Sequence, residues 1–158
     1  MKNKVLVLGC GNLLFGDDGF GPVFVDYFNL HFKDKLSSDA QVVDVGTSVR
    51  DYLFDILLMQ DKPKKIIIVD AHTGDYKPGE ILEIDLDQIS PKKISDFSLH
   101  QFPTINLLKE LKQNTSVEVK VFVCQTEFVP DEVSPGLSDS VKKAIPKMCE
   151  IILKECEV

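Results

Sequence analysis

The length, composition and charge of the chain exclude several classes of protein. Its 158 residues are 44% hydrophobic and 27% charged, which is typical of a soluble globular protein with a full core. This length predicts one domain that covers residues 1–158. The 18 Lys and Arg residues are outnumbered by 25 Asp and Glu, the formal charge is −7, and no basic run is longer than a pair of lysines. We therefore expect no nucleic-acid partner. We also expect no membrane partner, because no run approaches the roughly 18 apolar residues of a membrane span.

The first residues and the cysteines bear on the cellular compartment. Lys2 and Lys4 precede an apolar run, but only four apolar residues stand before Gly9, whereas a signal peptide needs an apolar region of roughly 7–15 residues. The four cysteines show neither Cys-x-x-Cys pairs nor the spacing of a disulfide framework. We expect reduced thiols in a cytoplasmic protein.

An apolar strand and a glycine-rich acidic loop begin the chain. Residues 4–8 are rich in Val and Leu and are followed by glycine, so they predict a buried central strand. The loop that follows contains Gly9-x-Gly11 but lacks the third glycine of a dinucleotide-binding turn and the Lys-Ser/Thr of a phosphate-binding loop. Asp17 and Asp18 would repel a pyrophosphate at close range. The loop therefore suits a cation better than an anion, which disfavours a nucleotide-binding function.

The rest of the chain alternates strands with helices. Predicted strands cover residues 41–45, 66–70, 80–86 and 117–124, and predicted helices begin near Gly21, Ser48, Pro103 and Ser138. The β-branched run at 66–70 does not alternate with polar residues, which indicates burial on both faces. The stretch 80–86 does alternate, as an edge strand with one solvated face should.

Several local signals refine these elements. Ser48 is a candidate helix cap with Asp51 at the capping-box position. Pro146 is expected to kink the last helix or to delay its regular part. Residues 87–98 are polar, contain a proline and predict an irregular segment.

This alternation predicts an α/β fold, a three-layer α/β/α sandwich with a mostly parallel five-stranded sheet and an antiparallel edge strand. If the first and third strands are neighbours, the direction of the crossovers reverses between them. Ligands of such sheets bind at this switch point, outside the carboxyl ends of the strands. The loop that carries Asp18 and the strand end that carries Asp70 would then face one crevice.

Two acids and one histidine are the candidate functional residues. Asp70 ends an apolar strand, where a buried carboxylate is costly unless a cation or hydrogen bonds compensate it. Only one of Asp17 and Asp18 needs to point into the crevice. His100 lies after a long loop and just before a helix, a position typical of a delivered side chain. Two carboxylates and an imidazole make a three-ligand site with open positions, as metal-assisted hydrolysis requires.

Other candidate ligands remain open at this point. His72 would share a face with Asp70 if the strand continued, although the Gly-Asp-Tyr-Lys-Pro-Gly turn that follows is expected to carry it away from the sheet. Cys10 and Cys124 are candidate thiolate ligands or small buried residues. His31 is expected on the flank of the first helix, outside the site.

The motifs together resemble the hydrogenase maturation endopeptidases. They are, in the order of that family, Gly9-x-Gly11-Asn12-Leu13-Leu14-x-x-Asp17-Asp18-Gly19-x-Gly21, Val69-Asp70-Ala71, Pro78-Gly79, His100-Gln101 and Gly136-Leu137-Ser138. The resemblance implies a peptidase, aspartic-type or metal-dependent, that removes the C-terminal extension of the nickel-iron hydrogenase large-subunit precursor after nickel insertion. It places the two acids and the histidine of the family's metal site on Asp18, Asp70 and His100.

The resemblance also implies how nickel is used. Nickel is expected to be carried by the substrate and bound transiently, so that no permanent cofactor is expected. Some relatives serve a hydrogenase that reduces a deazaflavin coenzyme, and the motifs do not distinguish this branch. A non-proteolytic nickel-binding chaperone or docking module that uses the same residues is the alternative function.

Overall fold

The computed structural model describes residues 4–89 and 102–157. The strands are β1 (Val5–Cys10), β2 (Ala40–Gly46), β3 (Lys65–His72), β4 (Ile81–Ile84) and β5 (Glu118–Gln125). The α-helices are α1 (Phe20–His31), α2 (Val49–Leu58), α3 (Phe102–Asn114) and α4 (Asp139–Glu155). The predicted order of strands and helices is confirmed.

The strands form one five-stranded sheet in the order β2-β1-β3-β5-β4. β1 pairs in parallel with both β2 and β3, and β3 pairs in parallel with β5. The edge strand β4 runs antiparallel to β5. The predicted fold class is confirmed, and the neighbouring strands β1 and β3 form the switch point of the sheet.

The helices cover both faces of the sheet. α1 and α4 bury Phe24, Phe28 and Met148 on one face, whereas α2 and α3 bury Leu53 and Leu108 on the other. Successive side chains of each central strand point alternately to these two faces, as the two-residue period of a β-strand requires. The four valines at 117, 119, 121 and 123 all lie on the α2/α3 side, as their alternation predicts.

Some boundaries differ from the sequence prediction. Ser48 precedes α2, but its side chain makes no capping hydrogen bond, and the helix ends at Leu58. β4 is shorter than the predicted edge strand, with four residues. α4 continues through Pro146 from Asp139 to Glu155, so the proline does not delay the helix. Of the segment predicted to be irregular, residues 90–98 lie outside the described part of the chain.

The structure also describes the state of the cysteines and the character of the helices. All four cysteines are buried free thiols, which agrees with the absence of a disulfide framework in the sequence. Among the helices of residues 4–89 and 102–157, none combines the length and the apolar character needed to cross a membrane.

Candidate active site

The switch point brings Asp18 and Asp70 to one edge of the sheet. Asp18 lies in a short 3₁₀ turn, Gly16–Gly19, that follows β1, and Asp70 lies near the carboxyl end of β3. The register pairs Gly9 with Val69, so Cys10 and Asp70 come next on adjacent strands. His100, the third predicted residue, lies outside the described residues.

Asp70 is fully buried. One of its carboxylate oxygens accepts a hydrogen bond from the backbone N–H of Ala71 at 2.8 Å. A carboxylate in this position is costly unless hydrogen bonds or a cation compensate it, which makes it unusual for a purely structural residue.

Cys10 lies on the same side of the sheet as Asp70 and is buried as well. Burial raises the pKa of its thiol well above 9, and the negative charges of Asp70 and Asp44 raise it further. Burial and the charge of Asp17 likewise raise the pKa of Cys124 to about 12. The thiols of Cys10 and Cys124 are therefore protonated near neutral pH, as those of small buried residues would be.

The loop of residues 11–19, called here the acidic loop, folds back on itself to hold Asp18. The backbone N–H of Asn12 donates to the Asp18 carbonyl oxygen at 3.1 Å and to its Oδ2 at 3.2 Å. A Cβ on Gly11 would lie 2.1 Å from that carbonyl oxygen, and the φ of Gly11 is +142°. Only glycine fits this close approach. Asp18 itself is partly exposed, in contrast to its neighbour Asp17.

Asp17 points into the protein and fastens the acidic loop to the loop of residues 126–138, called here the β5–α4 loop. Its Oδ2 accepts hydrogen bonds from the N–H groups of Glu127 and Phe128, both at 2.9 Å. Ser138 donates its N–H to Oδ1 at 2.7 Å and its hydroxyl to Oδ2 at 2.8 Å. Asp17 is fully buried. Sequence reasoning expected one acid to face away from the crevice but did not identify this partner, although Ser138 was one of the motif residues.

His72 does not leave the sheet, contrary to the expectation from the turn that follows it. It is the last residue of β3, pairs with Gln125 and is 5% exposed. Its ring centroid lies 5.7 Å from that of Tyr76. A Cβ on Gly74 would lie 2.4 Å from the His72 Nε2 atom, so the glycine makes room for the ring. The alternation of β3 places His72 on the same face as Asp70, and it remains an alternative ligand.

His31 lies outside this edge. His31 is exposed on α1, where its ring lies 4.4 Å from that of Tyr27, as expected for a helix flank. Within residues 4–89 and 102–157, no group of three or more His, Cys, Asp or Glu side chains is arranged to hold a metal ion. The described part of the site therefore offers two acids, Asp18 and Asp70, with His72 as the alternative third ligand to His100.

Comparisons of the sequence with known proteins identify relatives over most of the chain. A sequence model described as hydrogenase maturation protease matches residues 27–155. A relative from Methanocaldococcus jannaschii, provisionally named a hydrogenase maturation protease, is 43% identical over 98% of this chain and 97% of its own length. The coenzyme F420 hydrogenase subunit delta of Methanothermobacter thermautotrophicus is 36% identical over 98% of this chain and 96% of its own.

A solved structure supports the fold. The nickel-iron hydrogenase maturation protease HycI of Thermococcus kodakarensis superposes with a TM-score of 0.77 over 99% of this chain and 94% of its own, at 20% identity. At this identity the likeness concerns the fold alone. It supports the mostly parallel α/β fold described above.

Proposed function

The chain belongs to the hydrogenase maturation protease family, and we propose that it is an endopeptidase that removes the C-terminal extension of a nickel-iron hydrogenase large-subunit precursor after nickel insertion. The observation that carries the proposal is the pair of acids at the switch point, Asp18 and Asp70, in a chain matched by the family over most of its length. The relative named as a subunit of a coenzyme F420 hydrogenase supports a narrower substrate, the precursor of a deazaflavin-reducing hydrogenase.

Asp18, Asp70 and His100 are proposed to engage the nickel that the substrate already carries. The sheet edge offers two carboxylates, one fully buried and one partly exposed, and neither is accompanied by a thiolate at neutral pH. Such a set lacks the thiolates that retain borderline metals tightly. A metal brought by the substrate would supply the missing positive charge and position the scissile segment.

Water is the proposed nucleophile. A water polarised by the substrate's nickel, or activated by Asp18 or Asp70, would attack the peptide carbonyl. The partly exposed carboxylate is the one within reach of solvent, and the buried one is held by the N–H of Ala71. Asp18 therefore suits contact with the substrate side of the metal, and Asp70 suits the inner side.

Replacing the three residues tests this assignment. We expect Asp18→Ala, Asp70→Ala and His100→Ala each to abolish processing, measured by mass spectrometry of the precursor, while thermal melting shows a folded protein. His31→Gln and Asp55→Ala serve as controls, because both residues are exposed on helices away from the site. Loss of the melting transition in all three variants would instead assign these residues a structural role.

Nickel dependence separates the proposed mechanism from its alternatives. We expect the enzyme to cut the nickel-loaded precursor, to spare the nickel-free precursor and to be purified nearly without metal. Efficient cleavage of the nickel-free precursor, or one metal ion retained per chain after dialysis against chelator, would contradict the mechanism. Binding of the nickel-loaded precursor without any cleavage would favour the alternative, a non-proteolytic chaperone.

A further inference from the structure

We propose that the acidic loop, which carries Asp18, and the β5–α4 loop joined to it form the docking surface for an apolar, positively charged segment of the protein substrate, an inference that rests on the proposed function. The surface consists of the exposed apolar side chains of the acidic loop and the β5–α4 loop and is called here the apolar rim. Its members are Leu13, Leu14, Phe128, Val129 and Val133.

The side chains of the apolar rim are large, apolar and exposed to solvent. Phe128 is 61% exposed, Val133 64%, and Leu13 and Leu14 are each 49% exposed. These side chains are large and apolar, and they gain nothing from contact with water. Exposed apolar side chains on two loops that are joined to each other are typical of an interaction surface.

The two loops form one continuous surface, because their backbones are joined. The N–H of Ser134 donates to the Leu14 carbonyl at 2.8 Å, and the N–H of Gly16 donates to the Ser134 carbonyl at 2.9 Å. The N–H of Asp17 donates to the Phe128 carbonyl at 3.2 Å, beside the four hydrogen bonds that its carboxylate accepts. The Cβ of a side chain at Gly16 would lie 2.7 Å from Pro130 Cδ, so the loops also pack closely.

These connections fix the apolar rim before any partner binds. A surface that is already ordered loses less conformational entropy on association than a flexible loop does. The rim is therefore suited to capture a chain segment and to present it to Asp18, which lies in the same 3₁₀ turn as Asp17.

The charges of the two loops define the chemistry of the partner. Residues 11–19 and 126–138 contain five acids and no Lys, Arg or His. The acids are Asp17, Asp18, Glu127, Asp131 and Glu132. The Asp17 carboxylate is buried and already accepts hydrogen bonds within the protein, whereas Glu127, Asp131 and Glu132 are exposed. A segment that carries Lys or Arg among apolar residues complements this surface. A second copy of the chain would oppose acid to acid, which disfavours self-association through the rim.

Paired phenylalanine variants test the docking surface. Phe128→Ser removes a rim side chain, and Phe54→Ser is the matched control, because Phe54 is 54% exposed on α2 and outside the rim. We expect Phe128→Ser to raise both the KM for the nickel-loaded precursor and its Kd about tenfold, with kcat within about twofold of wild type, as for loss of one hot-spot residue. Phe54→Ser should leave both constants within about twofold.

A charge variant tests the second half of the proposal. Glu132→Lys should raise the Kd and weaken its dependence on salt, because an exposed attraction across the interface is screened by ions. Equal effects of Phe128→Ser and Phe54→Ser, a fall in kcat with unchanged KM, or a wild-type dimer that Phe128→Ser dissociates would each overturn the proposal. The Kd does not depend on cleavage. A wild-type protein that binds the precursor without cutting it would therefore refute the proposed function, while the Kd values of the variants would still test the docking surface.

Discussion

Replacement of Asp17 perturbs the join between the acidic loop and the β5–α4 loop. Its carboxylate accepts four hydrogen bonds from residues more than 100 positions away in the chain, at 2.7 to 2.9 Å. Asp17→Ala leaves these donors without that acceptor. Each lost hydrogen bond to a charged group costs about 1.5–3 kcal/mol. The total is smaller than four times this cost, because water can hydrogen-bond to donors that are only partly buried. We expect a loss of about 3–5 kcal/mol in the free energy of unfolding, which is a large part of the total for a chain of this size.

Asp17→Asn provides an intermediate case. The Asn amide keeps the shape of the carboxylate and one oxygen, but an NH₂ group replaces the other oxygen. This NH₂ group would face donors in either orientation: the N–H of Ser138 in one, and the Ser138 hydroxyl with the N–H groups of Glu127 and Phe128 in the other. One unsatisfied donor costs about 1–3 kcal/mol. Urea unfolding measures both variants, and Asp26→Asn is the control, because Asp26 is exposed on α1 and a surface change stays within about 0.5 kcal/mol.

Amide hydrogen exchange locates the damage. The N–H groups of Glu127 and Phe128 should exchange faster in Asp17→Asn, while those of the central strand β3 keep the rate set by global unfolding. A free energy of unfolding unchanged within about 0.5 kcal/mol in Asp17→Ala, or unchanged exchange at these two amides, would refute the reasoning that Asp17 joins the loops.

Two further predictions concern the fold. Gly21→Ala should destabilise the protein by about 2–3 kcal/mol in thermal or urea unfolding, because its Cβ would lie 2.1 Å from the carbonyl oxygen of Cys10, a backbone atom that cannot move aside; a stability equal to wild type would contradict this contact. Burial opposes ionisation of Glu155, but hydrogen bonds from Lys120 at 2.8 Å and Lys65 at 2.9 Å outweigh it and lower its pKa below 4.5. The stability that this carboxylate contributes is therefore present above its ordinary pKa and lost as the pH falls. Glu155→Gln should cost about 1 kcal/mol at pH 7, and this cost should shrink as the pH falls through the lowered pKa of Glu155, whereas a cost that does not change with pH would show that the ion pairs do not contribute.

The fold could be predicted because its signals are local. The run Ile66 to Val69 is buried on both faces, and its lack of alternation shows this in the sequence. The valines from 117 to 123 share one face because a strand has a period of two. Boundaries were less reliable: Ser48 has the chemistry of a cap, yet its side chain is not used as one. Whether a hydroxyl caps its own helix depends on the φ and ψ of that residue and on competing partners, which the sequence does not specify.

The site was predictable only in part, because its roles are assigned by contacts between distant segments. Asp17 and Asp18 are adjacent and chemically identical, so no periodicity separates the structural acid from the candidate ligand. The distinction comes from Ser138, which donates both its N–H and its hydroxyl to Asp17 instead of capping α4 with its side chain. Asp17 is held by the β5–α4 loop, whereas the Asp18 carboxylate accepts a hydrogen bond from the N–H of Asn12 within its own loop and stays partly exposed. One turn therefore carries a buried acid that orders two loops and a partly exposed acid that we propose to meet the substrate, and a substitution at either position should affect processing for a different physical reason.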